Sequence, residues 1–193
     1  SNVKSADIGF ENKGTENLNW ETAALIVGTW RTLIAVTLAI PVSSFKVAVD
    51  QDPVNLSGKK WQWSYNVSSA GVSYKARLTG EISATDVTWE MYVTKEGTNG
   101  FPEFKWFEGK SNLDGSGGKW ILSESNLVPQ PILQIDWTKS GTSIGKIKYT
   151  YLKTGSSNGA YIEYGLTNNS LNAYYTIHYY STTLLKFSDV NIE

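Results

Sequence analysis

The 193-residue chain contains no cysteine, a single histidine and a single methionine. Without cysteine it can form no disulfide, no thiolate metal site and no cysteine nucleophile. Its 17 basic and 18 acidic residues give a net charge of −1, and the two signs are interspersed along the chain. This balance offers no basic surface to nucleic acid or to an anionic membrane. No phosphate-binding loop, dinucleotide-binding glycine pattern or zinc-ligand spacing occurs either, so the sequence predicts no cofactor and no metal.

Long apolar runs are also scarce, and the only one covers residues 22–42, TAALIVGTWRTLIAVTLAIPV. Its large side chains fall on one side of a helical wheel and its small ones on the other, whereas a strand would mix them. Asn19 can cap such a helix and Pro41 can stop it. A membrane span would place Arg31 in mid-bilayer, at a cost of about 2.5–3.5 kcal/mol. We therefore predict a buried helix in a protein core, with the Arg31 side chain extending outward to water.

Aromatic residues, in contrast, are abundant: the chain has 8 Trp, 11 Tyr and 6 Phe, together with 17 Gly. Over residues 61–190, apolar and polar residues alternate with a period of two, and turns rich in Gly, Asn and Ser separate the segments. A long series of short strands is typical of an up-and-down meander, and closing it removes exposed edges. We predict an all-β fold with an N-terminal helix: an antiparallel meander of roughly nine to ten strands, forming a barrel or strongly curved sheet around the helix.

The chain shows no linker or shift in composition, so we predict a single domain over residues 1–193. Its predicted parts are a polar N-terminal segment, a helical segment and the antiparallel meander, at residues 1–18, 19–54 and 61–190. Residues 42–54 fit either a second short helix or a strand, and Pro41 favours the helix because proline suits a first helical position. The chain starts without methionine, so we expect that a segment upstream of Ser1 was removed.

The apolar face of the meander is the strongest candidate for a binding surface. If the helix fills the sheet, the tryptophans on that face form the core; if a gap remains at one end, they line an apolar pocket. Indole rings at such a rim can also stack on sugar rings. The predicted ligand-binding residues are Trp61, Trp63, Trp89, Trp106 and Trp137.

Candidates for catalysis are few. His178 lies among tyrosines, and no motif supplies the partner that a general base needs. Glu90 and Asp136 stand beside tryptophans, and two carboxylates about 5–10 Å apart can hydrolyse a glycoside. The alternation places both on the polar face, which favours ion pairs. Residues 112–116 have the oxygen spacing of a calcium loop, but a glycine-rich hairpin explains them without a metal.

Several motifs resemble known families. Gly28-Thr29-Trp30 resembles the start of lipocalins, and the order of elements is similar to that in fatty-acid-binding proteins. A closer resemblance, over most of the chain, is to exported lipoproteins of Bacteroidetes-type bacteria. It is carried by the motifs Trp61-Gln-Trp63-Ser-Tyr65, Leu78-Thr-Gly80, Val87-Thr-Trp89-Glu90-Met91-Tyr92, Trp106-Phe-Glu-Gly109, Ser111-Asn-Leu-Asp114-Gly115, Gln130-Pro-Ile-Leu-Gln-Ile-Asp136-Trp137 and 144–151. This resemblance implies export to the periplasm or outer membrane and a lipid anchor on a cysteine upstream of Ser1. It implies no activity.

Taken together, these features predict a monomeric, non-enzymatic protein of the cell envelope that binds a small apolar or carbohydrate ligand. A structural or protein-interaction component of the envelope, with no small ligand, is the alternative. A glycan-active hydrolase that uses Glu90 and Asp136 is the third and least favoured hypothesis.

Overall fold

The computed structural model describes residues 25–35, 48, 51–69, 71–141, 143–167 and 173–192. One helix, α1, covers residues 25–35. The strands are β1 (Val54–Ser57), β2 (Lys60–Ser69), β3 (Val72–Ile82), β4 (Asp86–Lys95), β5 (Phe101–Asn112), β6 (Gly117–Ser123), β7 (Pro131–Ser140), β8 (Ser143–Tyr151), β9 (Tyr161–Leu166), β10 (Ala173–Ser181) and β11 (Lys186–Ile192). The predicted polar segment 1–18, the cap at Asn19 and the helix stop at Pro41 lie outside the described residues.

The eleven strands form one sheet in which each strand pairs antiparallel with the next along the chain. This order confirms the predicted all-β up-and-down meander with an N-terminal helix, of which the structure describes residues 25–35. Within the described residues β1 and β11 do not pair with each other, so the sheet is not closed and has the form of an open barrel or curved sheet. The prediction of nine to ten strands missed β1. Val54, which ended the predicted helical segment, begins this strand, while Ala48 is helical.

The core lies on one face of the sheet, called here the inner face. Its middle is a row of cross-strand neighbours at most 4% exposed: Leu78, Met91, Phe107, Leu122 and Leu133. The buried side chains of α1 belong to the same apolar cluster. Because burying a large apolar side chain contributes about 1.5–3 kcal/mol, contact between helix and sheet stabilises both.

Helix α1 buries only the side that carries its large apolar residues, whereas burial of the whole helix was predicted. Ile26, Trp30 and Leu33 are buried at successive helical turns, while Gly28 and Thr32 are exposed. The Arg31 side chain is exposed, which confirms that the charge points away from the core. The buried stripe therefore faces the sheet, and its spacing accounts for the helical period in the sequence.

A β-bulge interrupts the alternation in β5. Met91 pairs with Phe107, but the next residue of β4, Tyr92, pairs with Lys105, so Trp106 is an extra residue. The period-two pattern that placed Phe104 and Trp106 in one continuous alternation is therefore wrong at this point. The shift keeps Phe107 and Phe104 opposite the inner-face residues of β4 and leaves Trp106 at the bulge.

Candidate ligand-binding site

Tryptophans and glycines alternate across five neighbouring strands of the inner face. From β2 to β6 the cross-strand neighbours are Trp61, Gly80, Trp89, Gly109 and Trp120. This row lies two residues along the strands from the fully buried middle row, towards the sheet end that carries the β3–β4 and β5–β6 turns. Its three tryptophans are half-buried.

Each glycine of this row makes room for the indole ring beside it. A Cβ atom at Gly80 would lie 2.9 Å from Cζ3 of Trp89, and one at Gly109 would lie 2.5 Å from Cε3 of Trp120. Both distances are shorter than van der Waals contact, so only glycine lets the neighbouring ring lie over the strand. In both pairs the ring therefore packs closely against the neighbouring strand at the glycine.

The indole rings also contact one another. The ring centroids of Trp63 and Trp89 are 5.9 Å apart, and those of Trp89 and Trp120 are 6.5 Å apart. Both pairs are tilted by 38°, within the range of favourable aromatic contacts. The Trp89 Nε1–H group donates a hydrogen bond of 2.9 Å to Ser111 Oγ, which fixes the orientation of the central ring.

The aromatic surface continues towards β10. Trp137, Ile147, Tyr164 and Tyr175 are successive cross-strand neighbours on β7 to β10; the first three are partly buried and Tyr175 is exposed. The rings of Tyr164 and Tyr175 are 5.1 Å apart, and Tyr175 is 42% exposed. We call the whole surface the aromatic strip; its aromatic members are Trp61, Trp63, Trp89, Trp120, Trp137, Tyr164 and Tyr175.

The structure brings together four of the five tryptophans predicted to bind a ligand. Trp61, Trp63, Trp89 and Trp137 lie in the aromatic strip, and their role in binding stays a prediction. Trp106 belongs to a separate aromatic cluster, in which its ring lies 5.6 Å from that of Phe104 and 6.5 Å from that of Phe101. The difference follows from the β-bulge, which no local pattern in the sequence indicates.

Sequence reasoning missed Trp120, Tyr164 and Tyr175 as members of this surface. All three alternate correctly within their strands. The signal that could have identified Trp120 is a glycine inside an alternating strand, such as Gly109, because such a glycine often marks the close approach of a neighbouring group. The pairing that joins them depends on strand register, which the sequence does not state.

The two acidic residues considered for hydrolysis lie on the outer face of the sheet, as predicted from the alternation. Glu90 Oε1 is 3.4 Å from Lys105 Nζ, and Asp136 Oδ1 is 3.7 Å from Lys119 Nζ. Glu90 is on β4 and Asp136 is on β7, with β5 and β6 between them. At about 4.8 Å per strand, three strand spacings separate them by about 14 Å. They do not form a facing catalytic pair.

His178 lies on the outer face within a stack of rings. Its ring centroid is 4.9 Å from that of Tyr161 and 4.5 Å from that of Phe187, with interplanar angles of 16° and 9°. Its Nδ1 atom is 2.6 Å from Asp189 Oδ1 on β11. Residue 178 is thus a histidine on the outer face among aromatic side chains, and Asp189 is a partner that no sequence motif indicated. Both faces of the imidazole are covered by rings.

The loop at residues 112–116 is a hairpin turn stabilised by its own side chains. Asn112 Nδ2 donates to Ser116 Oγ, and Ser116 N donates to Asp114 Oδ1, both at 2.9 Å. Hydrogen bonds from the Ser116 side chain and backbone lower the pKa of Asp114. Within the described residues, no group of three or more His, Cys, Asp or Glu side chains is arranged to hold a metal ion.

No protein-family model, curated protein or solved structure matches this chain. The resemblance to exported bacterial lipoproteins therefore stays a prediction. In the part of the chain that the structure describes, no helix has both the length and the apolar character needed to cross a membrane.

Proposed function

We propose that the protein is a non-enzymatic binding module of the bacterial cell envelope that holds a small apolar or carbohydrate ligand on its aromatic strip. One observation supports this proposal above others. Three contacting indole rings, those of Trp63, Trp89 and Trp120, are left half-buried on the face whose middle row is fully buried. Large apolar side chains that converge at one end of a curved sheet are the usual lining of a ligand site.

The geometry of the rings suits stacking. Trp89 and Trp120 each lie over a glycine, and Trp89 contacts the rings of Trp63 and Trp120, so their aromatic faces are grouped on the inner face of the sheet. Such faces contact flat apolar molecules or the C–H face of a sugar through dispersion, without any charged group. The outer-face position of Glu90 and Asp136 gives the hydrolase hypothesis no support, and we propose binding without catalysis.

The first test is native mass spectrometry of protein purified from a bacterial host, followed by solvent extraction. We expect a stoichiometric extra mass that extraction releases as lipid or glycan. The second test is titration with phenylnaphthylamine, an apolar fluorophore, and with cello-oligosaccharides. Trp89→Leu is expected to weaken binding of at least one probe about tenfold.

Trp106→Leu is the matched control, since it removes an equally half-buried tryptophan from the separate cluster. It should leave binding of both probes within about twofold of the wild type. Equal effects of the two substitutions, or no binding of either probe by the wild-type protein together with a clean apo mass, would contradict the proposal.

The alternative function, a structural or protein-interaction component of the envelope, is favoured by apolar side chains near the sheet edges. Val54 on β1 is 63% exposed, and Leu184 and Leu185 in the β10–β11 turn are 57% and 74% exposed. An edge strand has unpaired backbone groups, and exposed apolar side chains beside it favour contact with another protein chain. Sedimentation of the wild type and of Leu185→Lys over a range of concentrations tests this alternative: self-association lost in the variant would favour it, whereas a monomer throughout would favour the ligand-binding module.

A further inference from the structure

The indole N–H group of Trp30 is enclosed and lacks a hydrogen-bond acceptor. The side chain is 1% exposed, in the middle of α1 and within the apolar cluster that joins the helix to the sheet. No acceptor lies within hydrogen-bond distance of Nε1 in the part of the chain that the structure describes. Buried tryptophans usually pair this group, and leaving it unpaired is costly. None of the described residues supplies this acceptor, so the Trp30 N–H group is a candidate hydrogen-bond donor to a bound molecule.

Other polar groups of α1 show that the helix otherwise satisfies its donors. The hydroxyl groups of Thr29 and Thr32 donate to the carbonyl oxygens of Leu25 and Gly28, each at 3.0 Å. These two hydroxyl groups are therefore paired within the helix. Trp30 is the residue of this helix whose donor points into the core without such a partner.

The inner face of the sheet also carries one hydrogen-bond donor whose acceptor is weak. The Tyr65 hydroxyl group, packed against the core cluster, donates to Met91 Sδ at 3.7 Å, and a thioether is a poor acceptor. Burial raises the pKa of Tyr65, so this hydroxyl group keeps its proton and stays a donor. The interior therefore has one donor without an acceptor among the described residues, at Trp30, and one donor with only a weak acceptor, at Tyr65.

The charge of the interior limits what the acceptor can be. The buried polar residues of the described chain are Thr79 and Ser181, and neither carries a charge. A carboxylate or phosphate placed there would have no buried cation to compensate it, which is strongly unfavourable. A neutral oxygen, such as a ketone, ester or ether oxygen, needs only a hydrogen-bond donor.

We propose that the ligand of this module is a neutral, largely apolar molecule with an oxygen acceptor, and that this oxygen accepts a hydrogen bond from Trp30 Nε1–H. The inference rests on the proposed binding function and makes it more specific, because it selects a neutral oxygen-bearing apolar molecule over a hydrocarbon, an anion or a sugar chain. The apolar body of the ligand contacts the aromatic strip, and its oxygen lies at the helix.

The test uses three fluorescent probes that differ in their polar group. Prodan is a neutral naphthyl ketone, phenylnaphthylamine lacks a carbonyl oxygen, and anilinonaphthalene sulfonate is an anion. Trp30→Phe removes the donor and keeps an aromatic ring, and Trp106→Phe is the same change in the separate cluster. We expect Trp30→Phe to weaken Prodan binding about 3- to 10-fold, as for one lost hydrogen bond, and to change phenylnaphthylamine binding by less than about twofold.

Two further readouts accompany the affinities. The emission of bound Prodan should shift to the blue in Trp30→Phe, because its carbonyl group loses a donor, and should not shift in Trp106→Phe. In the ¹⁵N-labelled wild-type protein, the indole N–H resonance of Trp30 should move downfield on addition of Prodan and not on addition of phenylnaphthylamine. This second readout does not depend on the folding of a variant.

The outcomes separate the two proposals. If the wild-type protein binds neither neutral probe, the binding function fails, and this inference fails with it. If both neutral probes bind but Trp30→Phe weakens them equally, or the Trp30 resonance responds equally to both, the hydrogen bond to the ligand is refuted while the binding function stands. Tighter binding of the sulfonate than of Prodan would refute the preference for a neutral ligand.

Discussion

Replacing Gly109 by alanine should test the packing of the tryptophan row directly. The new Cβ atom would lie 2.5 Å from Cε3 of Trp120 and would also press on the backbone carbonyl oxygen of Lys119. The ring must move by about 1 Å to restore ordinary contact, and the neighbouring strand must yield as well. Overpacking of this kind costs about 1–3 kcal/mol, which the reduced freedom of the unfolded chain offsets by about 0.4–1 kcal/mol.

The net expectation for Gly109→Ala is a loss of about 1–2 kcal/mol in the free energy of unfolding. For a chain of this size, each kcal/mol changes Tm by about 2–4 °C. Urea unfolding followed by tryptophan fluorescence measures the free energy, and near-ultraviolet circular dichroism reports on the coupled indole rings. The dichroism signal should weaken, because the ring of Trp120 is displaced from that of Trp89.

Two other glycines serve as controls, because alanine at each of them should change the free energy of unfolding differently from Gly109→Ala. Gly28 is exposed on α1, and nothing lies within 4 Å of an added Cβ atom, so Gly28→Ala should stabilise the protein by up to about 1 kcal/mol. At Gly80 the nearest atoms to an added Cβ atom all belong to the Trp89 side chain and none to the backbone, so Gly80→Ala should cost less than Gly109→Ala. A Gly109→Ala protein as stable as Gly28→Ala, with unchanged dichroism, would refute the close packing of ring on strand.

Three further predictions concern the outer face and the helix. The bidentate hydrogen bonds from Arg77 lower the pKa of Glu103, and this half-exposed pair should contribute at most about 1 kcal/mol at neutral pH. The stability difference between wild type and Glu103→Gln should be fully present above pH 4.5, the ordinary pKa of this carboxyl group, and should be lost as pH falls through the lowered pKa. A difference that does not shrink as the pH is lowered through the acid range would contradict it. His178→Ala should lower the free energy of unfolding by about 1–2 kcal/mol, because Asp189 loses its partner. Amide hydrogen exchange should become faster in β11, which carries Asp189, than in β3. An equal increase of the exchange rate in both strands would refute this local role. Trp30→Ala should cost about 3–5 kcal/mol in urea unfolding, and a change near zero would refute its burial.

The meander could be predicted from the sequence because the strands after β1 have one apolar face and one polar face. Trp61, Trp63 and Tyr65 alternate with polar residues, and the register confirms that they share the inner face. β1 could not be predicted in the same way, since all four of its residues are exposed and no alternation is required of them. A strand that is joined to the sheet by backbone pairing and buries no side chain cannot be recognised from the alternation of apolar and polar residues.

The candidate site was only partly predictable, for a different physical reason. Alternation fixes which face a side chain occupies, but the neighbours across the strands depend on register and bulges. Trp106 was therefore grouped with the wrong tryptophans, and Trp120 was left out although it lies beside Gly109. The partner of His178 was missed likewise, because Asp189 approaches it from another strand.

The order of the strands has a consequence for how this protein reaches its folded state. Every strand pairs only with its neighbours along the chain, so the sheet can grow hairpin by hairpin at little cost in loop closure. The contacts of Trp30 and Leu33 with the core are of long range, because that cluster includes Ile177 on β10. We therefore expect α1 to dock late. Leu33→Ala should mainly accelerate unfolding and leave the folding rate almost unchanged, whereas a folding rate slowed in proportion to the lost stability would place α1 in the nucleus.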